Sequence, residues 1–215
     1  MRISWMGHAS FLIETASGIK IITDPYESGS YSGQISYEPI GVEADIVTVT
    51  HQHPDHNYTQ DFEGAKIIDE EGDFQVEGIK IKGLRSYHDD KKGELRGKNI
   101  IFIIEADKMK IVHFGDLGTK DVDFKNLSDI DIAFMPVGGT FTLDAKQAGE
   151  VVDKINPKIT IPMHYKTSKI GFNLSGVDKF ITGKDNAQKK DILEVTKEEI
   201  SSQDKSKIVI LSHQR

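Results

Sequence analysis

The run Thr50-His51-Gln52-His53-Pro54-Asp55-His56-Asn57 places four candidate metal ligands within six residues, directly after an apolar stretch. Ile46 to Thr50 reads Ile-Val-Thr-Val-Thr, β-branched throughout, and predicts a buried strand that stops where the ligands begin. If the chain stays extended past Thr50, His51 and His53 project to one side, because strand side chains repeat every two residues. That pair can grip one metal. Pro54 keeps the residue before it extended and suits the first position of a helix, so Asp55 and His56 are expected on a new first turn, within reach of a second metal.

Composition narrows the chemistry. The chain has no cysteine, which excludes disulfides and thiolate sites; any transition metal must be held by nitrogen and oxygen. With 27 basic and 34 acidic residues the net charge is −7, which argues against a nucleic-acid partner and leaves a small-molecule substrate as the expectation. A chain of 215 residues can bury a full core as one domain, expected to span 1–215. No stretch approaches the roughly 20 apolar residues needed to span a bilayer. The opening Met1-Arg2-Ile3-Ser4-Trp5 enters folded-looking sequence with no signal peptide, so a cytoplasmic protein is expected.

Ile3-Ser4-Trp5, Ser10 to Glu14 and Ile19 to Thr23 predict an opening β-meander, the last strand closing on Asp24-Pro25. Four glycine or proline residues among serines and tyrosines predict irregular structure near a site from Tyr26 to Gly41. Further strands are expected at Ala65 to Ile68, Gly78 to Gly83, Asn99 to Glu105, Met109 to Phe114, Ile130 to Met135, Ile159 to Ile161 and Lys207 to Leu211. Thr142 is the expected N-cap of a helix from Leu143 to Ile155, which Asn156-Pro157 stops. A second helical pattern runs from Asp191 to Ile200.

The candidate ligands His51, His53, Asp55, His56, His88, Asp116 and His164 all fall just beyond expected strand ends, where loops gather to build sites on rigid scaffolds. Seven ligands suit two metals, with three histidines on one, an aspartate and two histidines on the other, and a carboxylate between. Open positions on such ions hold water, the mark of a catalytic site. Two divalent ions about 3.5–4 Å apart lower the pKa of a shared water toward neutrality, and the bridging hydroxide can attack a polarised carbonyl or phosphoryl centre. In such a site one carboxylate can serve as both ligand and proton acceptor, and another can fix the spacing.

This order of residues, His51-x-His53-x-Asp55-His56 followed by His88, Gly115-Asp116 and His164, resembles the metallo-β-lactamase superfamily over the whole chain. Trp5 to Ile13, Thr23-Asp24-Pro25 and Pro162 to Tyr165 are similar to the zinc-dependent hydrolase branch that contains ascorbate-phosphate lactonase and the N-acyl-phosphatidylethanolamine phospholipase D type. The resemblance implies an α+β fold, a four-layer αββα sandwich with a dinuclear site at one edge. It also implies His51, His53 and His88 on the first metal, Asp55, His56 and His164 on the second, and Asp116 between them.

The expected function is hydrolysis of a small ester, lactone or phosphodiester with two divalent ions; zinc suits the donor set, and Mn2+ or Fe2+ is compatible with it. A nuclease, an iron-dependent oxidoreductase and a non-catalytic metal-binding protein are the competing readings. Around the ligands, His8 fits either a pocket residue or a satisfied hairpin histidine. Asp24 fits a hydrogen-bond acceptor behind a ligating imidazole, or a turn aspartate before Pro25. Tyr165 and Lys166 follow a ligand directly and are candidates to meet an anionic substrate. His113, within a strand, reads as structural, and His213 as a solvated residue near the terminus.

Overall fold

Strand polarity decides where the ligands go. The computed structural model describes residues 1–203 and 205–215. Its first sheet contains β1 (Arg2–Gly7), β2 (Ser10–Glu14), β3 (Lys20–Thr23), β4 (Ile46–Thr48), β5 (Lys66–Ile68) and, beside β1, the short β13 (Leu193–Glu194). The second contains β6 (Gly72–Val76), β7 (Ile79–Tyr87), β8 (Lys98–Ala106), β9 (Met109–His113), β10 (Ile132–Pro136), β11 (Ile159–Met163), β14 (Lys207–Leu211) and β12 (Ala187–Lys190).

In the first sheet β2 is antiparallel to both β1 and β3, and β3 is parallel to β4. Hence β1, β3 and β4 run the same way. In the second sheet β8 is antiparallel to β7 and β9, while β9, β10 and β11 are mutually parallel, so β7, β9, β10 and β11 share one direction. The residues that follow these seven strands include His8, Asp24, His51, His88, Asp116, Gly138 and His164. Pairing parity alone delivers them to common sheet edges.

The two sheets face each other across an apolar layer. Period-two alternation sends Ile3, Trp5, Phe11, Ile13, Ile21 and Ile46 into one large core, and sends Met6, Leu12, Ile22 and Val47 to the opposite face. Phe11 of the first sheet stacks on Phe134 of the second, with centroids 4.0 Å apart and planes 14° apart. Burying each such ring contributes about 1.5–3 kcal/mol. On the far side of the second sheet, the helix Ala145–Ile155 buries Ala148, Val151 and Ile155. The outer face of the first sheet is covered instead by irregular chain, through Tyr26, Ile35, Tyr37 and Ile40 with Ile170 and Leu174.

Several local expectations are corrected. The helix begins at Ala145, because Asp144 rather than Thr142 caps it: Asp144 accepts from Gln147 N at 2.8 Å while Gln147 Oε1 accepts from Asp144 N at 3.1 Å. The segment Pro54 to His56 is a single turn, closed by His56 N and Asn57 N donating to the His53 carbonyl, and no helix follows. The helical pattern from Asp191 divides into β13 and a short capped helix, Lys197–Ser201. His213 is half-buried, its ring edge-on to Tyr37 at 5.1 Å, because the last strand carries it back beside Trp5.

The capping box yields a direct comparison. Asp144→Ala should cost about 1 kcal/mol of stability, while Thr142→Ala, away from the helix's free N–H groups, should cost clearly less. Urea unfolding of the two variants measures the difference, and an equal or reversed order would contradict the assigned cap.

Candidate metal centre

The turn after β4 brings four of the candidate ligands together, and the turns after the neighbouring strands bring the rest. Three sets of ligand atoms converge within 4.8 Å: His51, His53 and His88; His8, Asp55, His56 and His164; and Asp24, His51 and His56. Asp116 stands between the first two sets. Its Oδ2 lies 3.1 Å from His88 Nε2, 3.2 Å from His164 Nε2 and 3.9 Å from His51 Nε2, and its Oδ1 lies 3.3 Å from His56 Nε2. Donor atoms bound tetrahedrally at 2.0–2.1 Å sit about 3.3 Å from one another, so three of these four separations match the edge of a coordination shell.

Unused donor atoms argue the same way. His51 Nε2, His56 Nε2 and Asp116 Oδ1 are buried and lack a hydrogen-bond partner, a costly state unless a ligand satisfies them. The donor set therefore fits divalent metal.

The opposite ring nitrogens are occupied. Asp24, fully buried, accepts from Thr50 N at 2.7 Å, from Thr50 Oγ1 at 2.6 Å and from His56 Nδ1 at 2.8 Å. His51 Nδ1 in turn lies 3.0 Å from Thr50 Oγ1. These contacts fix the ring orientations and aim both Nε2 atoms inward. Asn99, also buried, places Asp116: its Oδ1 accepts from Asp116 N at 2.9 Å, while its Nδ2 donates to Ser86 Oγ and to the Phe114 carbonyl. Two glycines permit the close approach of the loops. A Cβ on Gly115, at φ 53°, would stand 2.5 Å from Thr50 Oγ1, and one on Gly138 would stand 2.1 Å from the His164 carbonyl oxygen.

The electrostatics divide the histidines. Burial, reinforced by His56, holds His51 well below the usual imidazole range, and burial with nearby His88 lowers His53. Burial acts against the charge of His56 too, yet Asp116 and Asp55 raise it well above that range. Asp116 is held well below the carboxylate range despite burial, by His164 and His56. Burial and His164 push His8 down to about 4, so its imidazole is neutral near pH 7.

Comparison with known proteins bears on this geometry. Residues 2–164 match the beta-lactamase superfamily domain. The chain is 30% identical over 200 residues to a UPF0173 metal-dependent hydrolase of Methanopyrus kandleri, covering 78% of this chain and 85% of that one. A Thermoplasma acidophilum protein of the same description is 32% identical over 194 residues, with 78% and 84% covered. A crystal structure from Thermotoga maritima, of a candidate zinc-dependent hydrolase in the metallo-β-lactamase superfamily, superposes with a TM-score of 0.78 at 36% identity and covers 99% of both chains. The chain belongs to the metallo-β-lactamase superfamily, in its branch of metal-dependent hydrolases. Its two mixed sheets are the α+β sandwich of that superfamily, and no described helix is long and apolar enough to cross a membrane.

The remaining residues singled out in this metallo-β-lactamase relative fall as follows. His8 is fully buried, with Nε2 3.1 Å from Asp55 Oδ2; since an ionised carboxylate only accepts, His8 is the donor. His113 is buried and its Nε2 donates to the Ala9 carbonyl at 2.9 Å. Tyr165 is buried against Trp5, centroids 5.1 Å apart. Lys166 is not among the converging ligand groups and donates to the carbonyls of Ile170 and Phe172.

Sequence reasoning missed Asn99, whose only signal is a polar residue opening an apolar strand, and it missed Tyr31. Tyr31 and Ser32 both take left-handed backbone (φ 51° and 58°) between Gly29 and Gly33, at a cost of about 1–2 kcal/mol each. Burial and then the charge of nearby Asp55 raise the Tyr31 pKa, so it stays protonated near neutrality.

Two outcomes follow. In Asp24→Asn the amide would present an N–H to His56 Nδ1, shifting that ring's proton to Nε2; metal affinity should fall about 10–100-fold in a competitive chelator titration, with the fold retained by circular dichroism. Because His56 is raised above its ordinary value, the metal-free protein holds a proton there near pH 7 that binding must displace. Metal uptake should therefore release protons, and affinity should weaken as pH falls. Calorimetry in buffers of different ionisation enthalpy measures the release; a buffer-independent heat would contradict it.

Proposed function

We propose that this protein is a zinc-dependent hydrolase of a small ester, lactone or phosphodiester, working with two ions. His51, His53 and His88 would hold one, Asp55, His56 and His164 the other, with Asp116 shared. The observation that carries this reading is the position of the Asp116 carboxylate, one oxygen 3.1 Å from His88 Nε2 and the other 3.3 Å from His56 Nε2, between two histidine groups. Zinc is favoured by a nitrogen-rich donor set without thiolate.

Bound there, divalent ions supply Lewis acidity and lower the pKa of water toward neutrality. The chain's own residues supply the rest. Burial opposes ionisation of Asp55, but His56 and the hydrogen bond from His8 hold its carboxyl below the usual range. Asp55 is thus an anion at neutral pH and can accept a proton released during hydrolysis. The His8 N–H fixes the Asp55 oxygen it touches. His53, half-buried, opens onto a cavity of about 680 Å³ that His51, Arg96 and Lys98 also line, large enough for a small substrate.

The test is elemental analysis of protein purified without added metal, followed by turnover of an ester, lactone and phosphodiester panel with and without chelator. Asp116→Ala should lose one or both ions and lower kcat/KM by about a thousandfold or more. Activity that survives that substitution with metal intact would refute the shared carboxylate. Turnover indifferent to chelation would refute the hydrolase reading itself.

A further inference from the structure

Four segments that belong to neither sheet meet beside the centre. The Tyr31 ring packs edge-on to Phe172 at 5.3 Å, Phe172 packs edge-on to Phe141 at 5.5 Å, and the Arg96 guanidinium lies 5.7 Å from the centre of the Phe141 ring. The row has both of its ends beside the site. At one end Tyr31 lies close enough to Asp55 to feel its charge, and at the other Arg96 lines the cavity shared with His51 and His53, where Lys98 and Arg85 stand with it against Asp69, Glu70 and Glu71.

The segments that carry Arg96, Phe172 and Tyr31 are tied in place by contacts of their own. Asp89 accepts four backbone N–H groups, from Lys91, Gly93, Leu95 and Arg96, and so fixes the turn that presents Arg96. Lys166 ties down the Phe172 segment through the carbonyls of Ile170 and Phe172. An Ile35–Ile170 bridge then joins that segment to the Tyr31 loop. Among the described residues, the two large apolar side chains left exposed are Tyr31 (40%) and Leu95 (68%), and both lie in these segments.

Arg96 is also electrostatically available. Among the described residues it has no carboxylate within salt-bridge distance and donates only to the Thr140 carbonyl, whereas neighbouring Arg85 is engaged by Glu71. A guanidinium over an aromatic face, with N–H groups left over beyond the one given to Thr140, suits a carboxylate or phosphate.

We propose that Tyr31, Phe172, Phe141 and Arg96 form the strip that selects the substrate: an ester with an apolar aryl or acyl arm laid along the rings and an anionic end group on Arg96. This rests on the hydrolase reading for the word ester, but the strip can be tested by binding alone.

The experiment is calorimetric titration of the full chain, in its as-purified metal state, with acetate and with 4-phenylbutyrate. The arm should make 4-phenylbutyrate bind at least about tenfold tighter than acetate. Tyr31→Ala and Phe172→Ala should each remove most of that preference, and Tyr31→Phe should keep it. Arg96→Gln should weaken 4-phenylbutyrate about tenfold; unchanged binding would mean that the carboxylate goes to the metal centre, and would overturn the role of Arg96. Equal affinity for the two acids overturns the strip, as does a change of oligomeric state in the alanine variants, which would make the rings an interface between copies. Discriminating binding without turnover of any ester, lactone or phosphodiester leaves the strip standing and defeats the hydrolase reading. Metal-dependent turnover with no discrimination does the reverse.

Discussion

A buried carboxylate governs this architecture. Asp24 has no exposed surface, and it is tolerable only because three donors from the turn after β4 converge on it. Its contacts with Thr50 stop the strand at a set point, and its contact with His56 chooses which ring nitrogen faces inward. The sequence that bears the ligands thus takes its conformation from an anion 26 residues earlier. Asn99 plays the matching part on the second sheet, where it holds the backbone of Asp116. Neither residue needs to touch a metal to determine whether one can be held.

Both anchors depend on the sheets being pressed together. The Phe11–Phe134 stack joins the sheets directly behind the centre, and His113 sits edge-on to both rings while donating to the Ala9 carbonyl. Gly115 and Gly138 then remove the side chains that would hold the ligand loops apart. Packing, hydrogen bonding and loop approach are consequently one problem, solved at one edge of the sandwich.

Much of this was readable in the chain because its signals are local. The β-branched run before His51, the period-two alternation of β1 to β4, and the placement of each candidate ligand just past an apolar run all survive in the fold. What could not be read depends on neighbours distant in sequence. The polar strand Ala187–Lys190 exists only because β14 offers it a partner. Pro54 suits a helix start, yet the chain after Asn57 is drawn off by Tyr58 N donating to the Pro25 carbonyl. Tyr31, Arg96, Phe141 and Phe172 carry no shared motif, since only the folded loops make them adjacent.

The irregular cover over the first sheet has a further implication. Tyr26, Ile35 and Tyr37 seal the outer face of that sheet, and the same stretch of chain supports Tyr31 in its left-handed turn. Waterproofing and choice of guest are thereby entrusted to one ribbon, while the imidazole cluster is anchored elsewhere. Gentle warming or a trimmed side chain under that ribbon would blur discrimination among guests before it disturbed the imidazole cluster.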